Sequence, residues 1–155
     1  MTGKLQSELR QTRPFKSLEE EAYLGVLRSA ALLEHAVAEA LRPHGITPTQ
    51  YNVLRILRGA GAEGLCRNEV RDRMIARVPD ATRLLDRMEA QGLVERQRGT
   101  EDRRFVSTQI SQTGLRVLGE LDEPVLALHR AHFGHLAPAA LEALIGALES
   151  VRERL

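Results

Sequence analysis

Arginine is the residue type in this chain whose number and spacing could do chemistry. Of the 22 basic residues only Lys4 and Lys16 are lysines, so 20 are arginines, a bias also typical of GC-rich genomes. A guanidinium is planar, always charged, and donates paired hydrogen bonds to phosphates and base edges. Ten arginines and eight acidic residues lie between positions 67 and 104. Because this balance is nearly neutral, recognition of a polyanion would depend on where individual arginines are placed.

Three of these arginines fall in a short polar stretch, residues 97–104 (QRGTEDRR). A hairpin loop needs glycine and polar residues, but it does not need Arg98, Arg103 and Arg104 together. Asp102 lies beside two of them, and a carboxylate can hold a guanidinium in a fixed direction. A guanidinium held in this way suits the minor groove of DNA, where the negative potential is concentrated.

An amphipathic helix is predicted before this stretch. Pro79 suits its first position, and Gly92 is placed to end it. One face has apolar residues at helical spacing, namely Ala81, Leu84, Leu85 and Met88. The opposite face is polar and carries Thr82, Arg83, Asp86 and Arg87. Taken alone, this pattern is more typical of an ordinary solvated surface helix.

Two short strands are predicted on either side of the polar stretch, residues 93–96 (LVER) and 105–110 (FVSTQI). A helix followed directly by a two-stranded ribbon is the layout of a winged helix-turn-helix. In that layout the helix enters the major groove and the ribbon tip reaches the flanking minor groove. Residues 68–75 are the predicted first helix of the motif, and residues 76–78 are its turn.

In these motifs the chain resembles the MarR-type transcriptional regulators. The family pattern has an acidic-basic-Leu-Glu run, a Gly-Leu-Val, a wing with Asp-x-Arg at its tip, and a Leu-Thr-x-x-Gly helix start. This chain has LDRME at 85–89, GLVER at 92–96, EDRR at 101–104 and ISQTG at 110–114. The resemblance extends from about residue 18 to residue 155. It implies that Arg104 enters the minor groove and that Asp102 orients it.

The predicted DNA-binding residues follow from this layout. Arg83 would donate to guanine O6 and N7 in the major groove, with Thr82 and Arg87 beside it. Asp80 at the start of the helix is unfavourable near phosphate, so it would accept from cytosine N4 or orient Arg83. The predicted phosphate contacts are Arg77, Arg98 and Arg103.

Long apolar helices flank the winged unit. A capping box at residues 17–20 (SLEE) opens the first, which should end near residues 42–45. Ser111 caps another, predicted to kink or break near Pro124, and a last helix begins at Pro138. Their Leu/Ala stripes need a surface to cover. In the family these helices intertwine across a two-fold axis, which implies an obligate homodimer on pseudo-palindromic DNA. A monomeric helical bundle is the alternative.

The sequence therefore predicts a single domain, residues 1–155, mainly α with a small β-wing. Dimerisation helices are expected at 17–45 and 112–155, and a winged helix-turn-helix DNA-binding unit at 47–111. No apolar run is long enough for a membrane span, and no secretory signal is evident, so a cytoplasmic protein without a membrane partner is expected. No catalytic constellation or cofactor motif occurs, so no enzyme is predicted. The near-neutral charge leaves open a winged-helix protein-interaction module.

A sensory role is a further alternative for this fold. Cys66 precedes Arg67 at the start of a short helix, a position that can make a thiol reactive, although a half-buried cysteine without redox function is more typical there. His129, His132 and His135 recur every three residues, which can place two imidazoles on one metal. No acidic ligand lies one turn away from them, which favours surface or interface histidines, and no metal ligand is predicted.

The family resemblance also implies an effector. Small phenolic or aromatic acids are common effectors in the family, and they bind between the dimer helices and the winged unit. The candidate lining residues are Tyr23, His35, Tyr51 and Arg55.

Overall fold

The computed structural model describes residues 4–99 and 106–155, and it is mainly helical with one small sheet. The helices are α1 (Lys4–Glu8), α2 (Leu18–Leu41), α3 (Pro48–Ala60), α4 (Arg67–Arg73), α5 (Ala81–Ala90), α6 (Gln112–Phe133) and α7 (Pro138–Arg152). The strands are β1 (Leu65–Cys66), β2 (Val94–Arg98) and β3 (Val106–Ile110). Short 3-10 turns at Arg42–His44 and Gly61–Glu63 follow α2 and α3. The predicted fold class, a winged helix-turn-helix with long terminal helices, is confirmed.

The hydrophobic core lies where α3, α5 and the first half of α6 meet. Its largest fully buried side chains include Leu41, Leu54, Leu57, Leu85, Met88, Leu118 and Leu121. Leu41 ends α2, and the last two of these residues belong to α6. The core thus extends beyond residues 47–111, because α6 covers one side of α3. The same helix is exposed further along, which leaves its second half free to pack elsewhere.

The three strands form one antiparallel sheet in the order β1-β3-β2. Val94 pairs with Ile110 and Arg98 with Val106, so both wing strands are fully paired where they are described. β1 pairs through Leu65 with Thr108, so a short third strand joins the two wing strands. Gly64 makes this approach possible, since its φ is +66° and a Cβ would lie 2.6 Å from the Thr108 carbonyl oxygen.

Two predictions about helix starts are corrected. α5 begins at Ala81 with Asp80 as its N-cap, so Pro79 does not occupy the first helical position. The Asp80 carboxylate accepts a hydrogen bond from the Arg83 amide at 2.9 Å. This cap stabilises a helix that begins at Ala81 instead of at Pro79. At α2, Ser17 caps the helix as predicted, but Glu20 accepts from the Lys16 amide at 2.6 Å instead of closing the box on Ser17.

Two helix bounds also differ from expectation. The predicted break at Pro124 is wrong, because α6 runs unbroken from Gln112 to Phe133. Leu121 and Val125 on either side of the proline are buried, and this packing holds the helix despite one missing amide donor. α4 ends at Arg73 instead of residue 75, because Met74 is extended and the Ile75 amide donates to Asn52 Oδ1 at 3.0 Å.

Candidate DNA-binding surface

Helix α5 divides cleanly into a buried and an exposed face. Its apolar residues Ala81, Leu84, Leu85 and Met88 are all buried. Its polar residues Thr82, Arg83, Asp86 and Arg87 are all exposed. The helix therefore presents Arg83 and Arg87 to solvent, and its buried apolar face fixes its position against the core.

The N-terminus of α5 is fixed by its own cap. Asp80 is exposed and uses its carboxylate on the Arg83 amide, so it acts on the backbone of that residue. A carboxylate at a helix N-terminus also interacts favourably with the helix dipole. The structure thus gives Asp80 a structural role at the point where the predicted reading residues begin.

Two further arginines, which the sequence did not single out, contact the polar face of α5. Arg67, the first residue of α4, donates from Nη1 to Thr82 Oγ1 at 3.0 Å. Arg96 of β2 places Nη2 2.7 Å from Asp86 Oδ1 and Nε 3.7 Å from Glu89 Oε2. For the Arg96 contact the sequence carried one signal, which was that Asp86 and Glu89 lie three residues apart on α5 and the following strand contains an arginine.

A cavity of about 350 Å³ lies between α4, α5 and the sheet. Its lining residues are Cys66, Arg67, Asn68, Thr82, Leu85, Arg96, Val106 and Thr108. Arg67 and Arg96 therefore both line an open pocket at the edge of α5.

The remaining predicted DNA-binding residues are placed as follows. Arg77 is exposed in the segment between α4 and α5. Arg98 is exposed at the end of β2, so it belongs to the strand and not to the loop in which it was predicted. Asp102, Arg103 and Arg104 lie outside the described residues, and their roles stay predictions.

The predicted effector residues lie apart from this cavity. Tyr23 and His35 are exposed on α2, while Tyr51 and Arg55 lie one turn apart on α3, the first buried and the second exposed. Tyr51 and Arg55 do share a helix with Arg58, whose guanidinium forms a bidentate pair with Asp122 of α6 at 2.7 and 2.9 Å.

The Arg58–Asp122 pair joins the winged unit to α6, and it perturbs both partners. The Arg58 guanidinium holds the pKa of the Asp122 carboxyl below its usual range, and Arg55 adds to this effect. The carboxylate in turn raises the pKa of Arg58. Both groups therefore stay charged at neutral pH, and the contact is an ion pair under ordinary conditions.

Cys66 and the three histidines considered for a sensory role lie on different parts of the fold. Cys66 is half-buried at the N-cap of α4, and its amide donates to Glu69 Oε2 at 2.7 Å, which lowers the pKa of Glu69. His129 and His132 lie on α6, whereas His135 follows Gly134, which ends that helix. Within residues 4–99 and 106–155, no three His, Cys, Asp or Glu side chains come together as metal ligands would. None of the helices described is both long and apolar enough to cross a bilayer.

α4 and α5 form a helix-turn-helix, and the three-stranded sheet lies beside α5. This arrangement defines the class of winged helix-turn-helix DNA-binding proteins. Comparison with known proteins narrows this class. The MarR family model matches residues 44–104. A MarR transcription factor from Planctomyces limnophilus is 38% identical, with 87% of this chain and 98% of that chain covered and a TM-score of 0.66.

Two other solved structures carry information about ligands. A mutant MarR from E. coli complexed with operator DNA is 26% identical over 88% of this chain and 99% of that chain, with a TM-score of 0.74. CouR from Rhodococcus jostii RHA1, bound to p-coumaroyl-CoA, is 25% identical over 88% of this chain and 95% of that chain, with a TM-score of 0.71. The chain belongs to the MarR family, and it is a DNA-binding transcriptional regulator and not an enzyme.

Proposed function

We propose that the protein is a homodimeric, ligand-responsive repressor that acts in the cytoplasm on a pseudo-palindromic operator. The observation that carries the proposal is the polar face of α5, whose Arg83 and Arg87 are exposed beside the paired wing strands. The relative complexed with operator DNA has the same fold, which supports an equivalent use of these elements.

Within each half-site, α5 lies in the major groove and the wing reaches the flanking minor groove. Arg83 reads guanine, with Thr82 and Arg87 beside it. Asp80 holds the helix start, so it acts through the backbone of Arg83. Arg77, Arg98 and Arg103 neutralise phosphates, while Arg104, oriented by Asp102, enters the minor groove.

The dimer is supported by apolar surface that the monomer leaves exposed. α7 has no buried residue, and α2 buries only Leu41. Large exposed apolar side chains on α2, α6 and α7 are Leu18, Tyr23, Val26, Leu27, Leu32, Leu126, Leu144, Ile145 and Val151. Scattered apolar residues are normal on a surface, but an entire amphipathic helix without a covered face indicates a partner. A second copy of the same helices provides a self-complementary surface.

Analytical ultracentrifugation tests the dimer. Ile145→Glu places a charge on the apolar face of α7, and it should convert the dimer to monomers at micromolar concentration. Ser150→Glu adds the same charge to an exposed polar position of the same helix, and it should leave the dimer intact. Equal behaviour of the two variants would show that this face of α7 is not buried in a dimer.

Selection of bound duplexes from a random pool tests operator recognition. The expected result is a pseudo-palindrome with half-sites about 34–36 Å apart, or multiples of this distance. Arg83→Ala should relax the preference at one base position of each half-site by about 1–3 kcal/mol. Arg116→Ala, an exposed arginine on α6, is the control for loss of charge alone. Unchanged base preference in Arg83→Ala would show that the helix is placed differently in the groove.

The wing contribution is tested separately with Arg104→Ala in a gel shift at fixed salt. Operator binding should weaken by about 1–3 kcal/mol while the dimer stays intact. Full affinity in this variant would rule out a minor-groove contact by Arg104.

The salt dependence of duplex binding tests the second candidate function, a winged-helix protein-interaction module. Only phosphate neutralisation gives a steep fall in duplex affinity with salt, so a flat dependence would favour that module.

The effector is proposed to be a small phenolic or aromatic acid. The bound p-coumaroyl-CoA of CouR supports this chemical class, since its acyl group is phenolic. Tyr23, His35, Tyr51 and Arg55 are the proposed lining residues in the dimer. Titration of the operator complex with phenolic acids should release duplex, and Arg55→Met should raise the concentration needed without changing duplex affinity. Release at the same concentration from Arg55→Met would remove this residue from the effector site.

A further inference from the structure

We propose that Arg96 is a positioning residue, which fixes the wing strands against the recognition helix α5 and so sets where the wing meets DNA. This inference rests on the proposed function, because it requires that wing residues contact the duplex. It concerns a side chain with 23% exposure that does not belong to the predicted reading residues.

The contact joins two elements that the chain separates. Arg96 lies on β2 opposite Thr108 of β3, and its guanidinium crosses to the polar face of α5. There it reaches Asp86 Oδ1 at 2.7 Å and Glu89 Oε2 at 3.7 Å. Asp86 and Glu89 are three residues apart on one helical face, so a planar fork can address both at once. The result is a strand held to a helix along one helical turn.

Packing does not make this contact redundant. The cavity of about 350 Å³ opens between α4, α5 and the sheet, and Arg96, Leu85 and Thr108 line it. Buried contacts hold α5 to the sheet on its inner side, where Leu85, Met88 and Val94 belong to one core. At the open outer edge fewer packing contacts are available, so the polar bridge adds to the orientation of the wing relative to the helix there.

The bridge bears directly on Arg98. Residues two apart in a strand lie on the same face, about 6.6 Å from each other. Arg98 is exposed at the end of β2, where it is paired with Val106, and it is a proposed phosphate contact. Since Arg96 is anchored to α5 and Arg98 is the next residue on that face, releasing the first would let the second move relative to the reading residues of α5.

A double-mutant cycle on duplex affinity tests this coupling. Each neutralised phosphate contributes about 0.9 to the salt slope, which amounts to about eightfold in affinity between 1 M and 0.1 M salt. Arg98→Ala should therefore weaken the parent about eightfold at 0.1 M salt. In an Arg96→Met or an Asp86→Asn background the same change should cost less than about twofold.

The two backgrounds are chosen because their direct effects on charge are opposite. Arg96→Met removes a positive charge and the whole bridge, whereas Asp86→Asn removes a negative charge and the 2.7 Å ion pair that is the shorter of its two contacts. A reduced cost of Arg98→Ala in both backgrounds identifies positioning, since a change in the electrostatic field alone would act with opposite signs. Arg116→Met on α6 is the control, and Arg98→Ala should keep its full cost there. Thermal melts identify any variant that fails to fold.

Several outcomes would overturn the inference. One is an Arg98→Ala cost that is equal in all backgrounds. Another is a salt slope that falls by about one phosphate in Arg96→Met while Arg98→Ala keeps its full cost there, which would make Arg96 itself a phosphate contact. A third is an Arg98→Ala variant of full affinity in the parent. Absence of salt-dependent duplex binding by the parent would instead contradict the proposed function.

Discussion

Gly114 lies where the start of α6 packs against the wing, and a substitution at this position tests that contact. It is the third residue of that helix, it is buried, and its amide donates to Ser111 Oγ at 3.0 Å. A Cβ at this position would overlap the Leu93 carbonyl oxygen, and it would lie 2.8 Å from Ile110 Cγ1 and 3.2 Å from Leu54 Cδ2. The substitution Gly114→Ala therefore forces a helix away from the residue that precedes β2.

The magnitude follows from opposing effects. Alanine gains about 1 kcal/mol over glycine in a helix interior. Overpacking against a backbone carbonyl costs about 1–3 kcal/mol, because the carbonyl cannot rotate aside. The same Leu93 carbonyl accepts from the Ser111 amide at 3.1 Å, and displacing it weakens a hydrogen bond that contributes about 1 kcal/mol. The gain and the weakened hydrogen bond nearly cancel, so the expected result is a net destabilisation of about 1–3 kcal/mol.

Denaturant unfolding measures this change, and the protein concentration is kept fixed because the stability of the proposed dimer depends on it. Gly119→Ala is the matched control: it lies on the same helix, is exposed, and has nothing within 4 Å of an added Cβ. It should stabilise the protein by about 0.5–1 kcal/mol. A Gly114→Ala variant that is as stable as the control would refute the close approach of α6 and the wing.

Other predictions concern stability and its pH dependence. The Asp122 carboxyl has a pKa below its ordinary value of about 3.9, so its pair with Arg58 stabilises the fold above that pH and is lost as the pH falls through the lowered pKa. Asp122→Asn should thus be less stable than the parent at pH 7, by about 1 kcal/mol or less because both groups are partly exposed, and urea melts should show the difference vanish in acid. Thr47→Ala should lower the free energy of unfolding by about 1 kcal/mol, since the Thr47 hydroxyl accepts from the Gln50 amide at 3.2 Å; an unchanged midpoint would contradict this role of the cap.

Local patterns predicted the elements well where a single physical preference decided them. The SLEE run at residues 17–20 predicted the start of the first long helix, and Ser17 caps α2. The apolar stripe of α5 predicted which of its residues are buried. Where preferences compete, the outcome depends on the surroundings. Proline was favoured at the first position of α5, but the capping carboxylate of Asp80 decided where the helix starts.

Contacts between distant elements were not predictable in this way. Arg96 and Asp86 are ten positions apart, and nothing in their spacing says that a strand arginine will reach back to the helix. Their pairing depends on the angle between α5 and β2, which the whole fold determines. The same holds for Pro124, whose tolerance follows from the burial of Leu121 and Val125.

The junction at Ser111 has a mechanical consequence. β3 ends at Ile110, Ser111 caps α6, and α6 starts at Gln112, so no flexible linker separates wing and helix. The Ser111 hydroxyl also donates to the Gly92 carbonyl at 2.6 Å, which ties the other wing strand to the same point. The 22 residues of α6 span about 33 Å. If α6 rotates by about 5° about its C-terminal end, its N-terminal end and the attached wing move by about 3 Å. That displacement is close to the rise of about 3.4 Å between successive bases. The orientation of α6 must therefore be fixed to within about 5° if the wing is to stay at one base step.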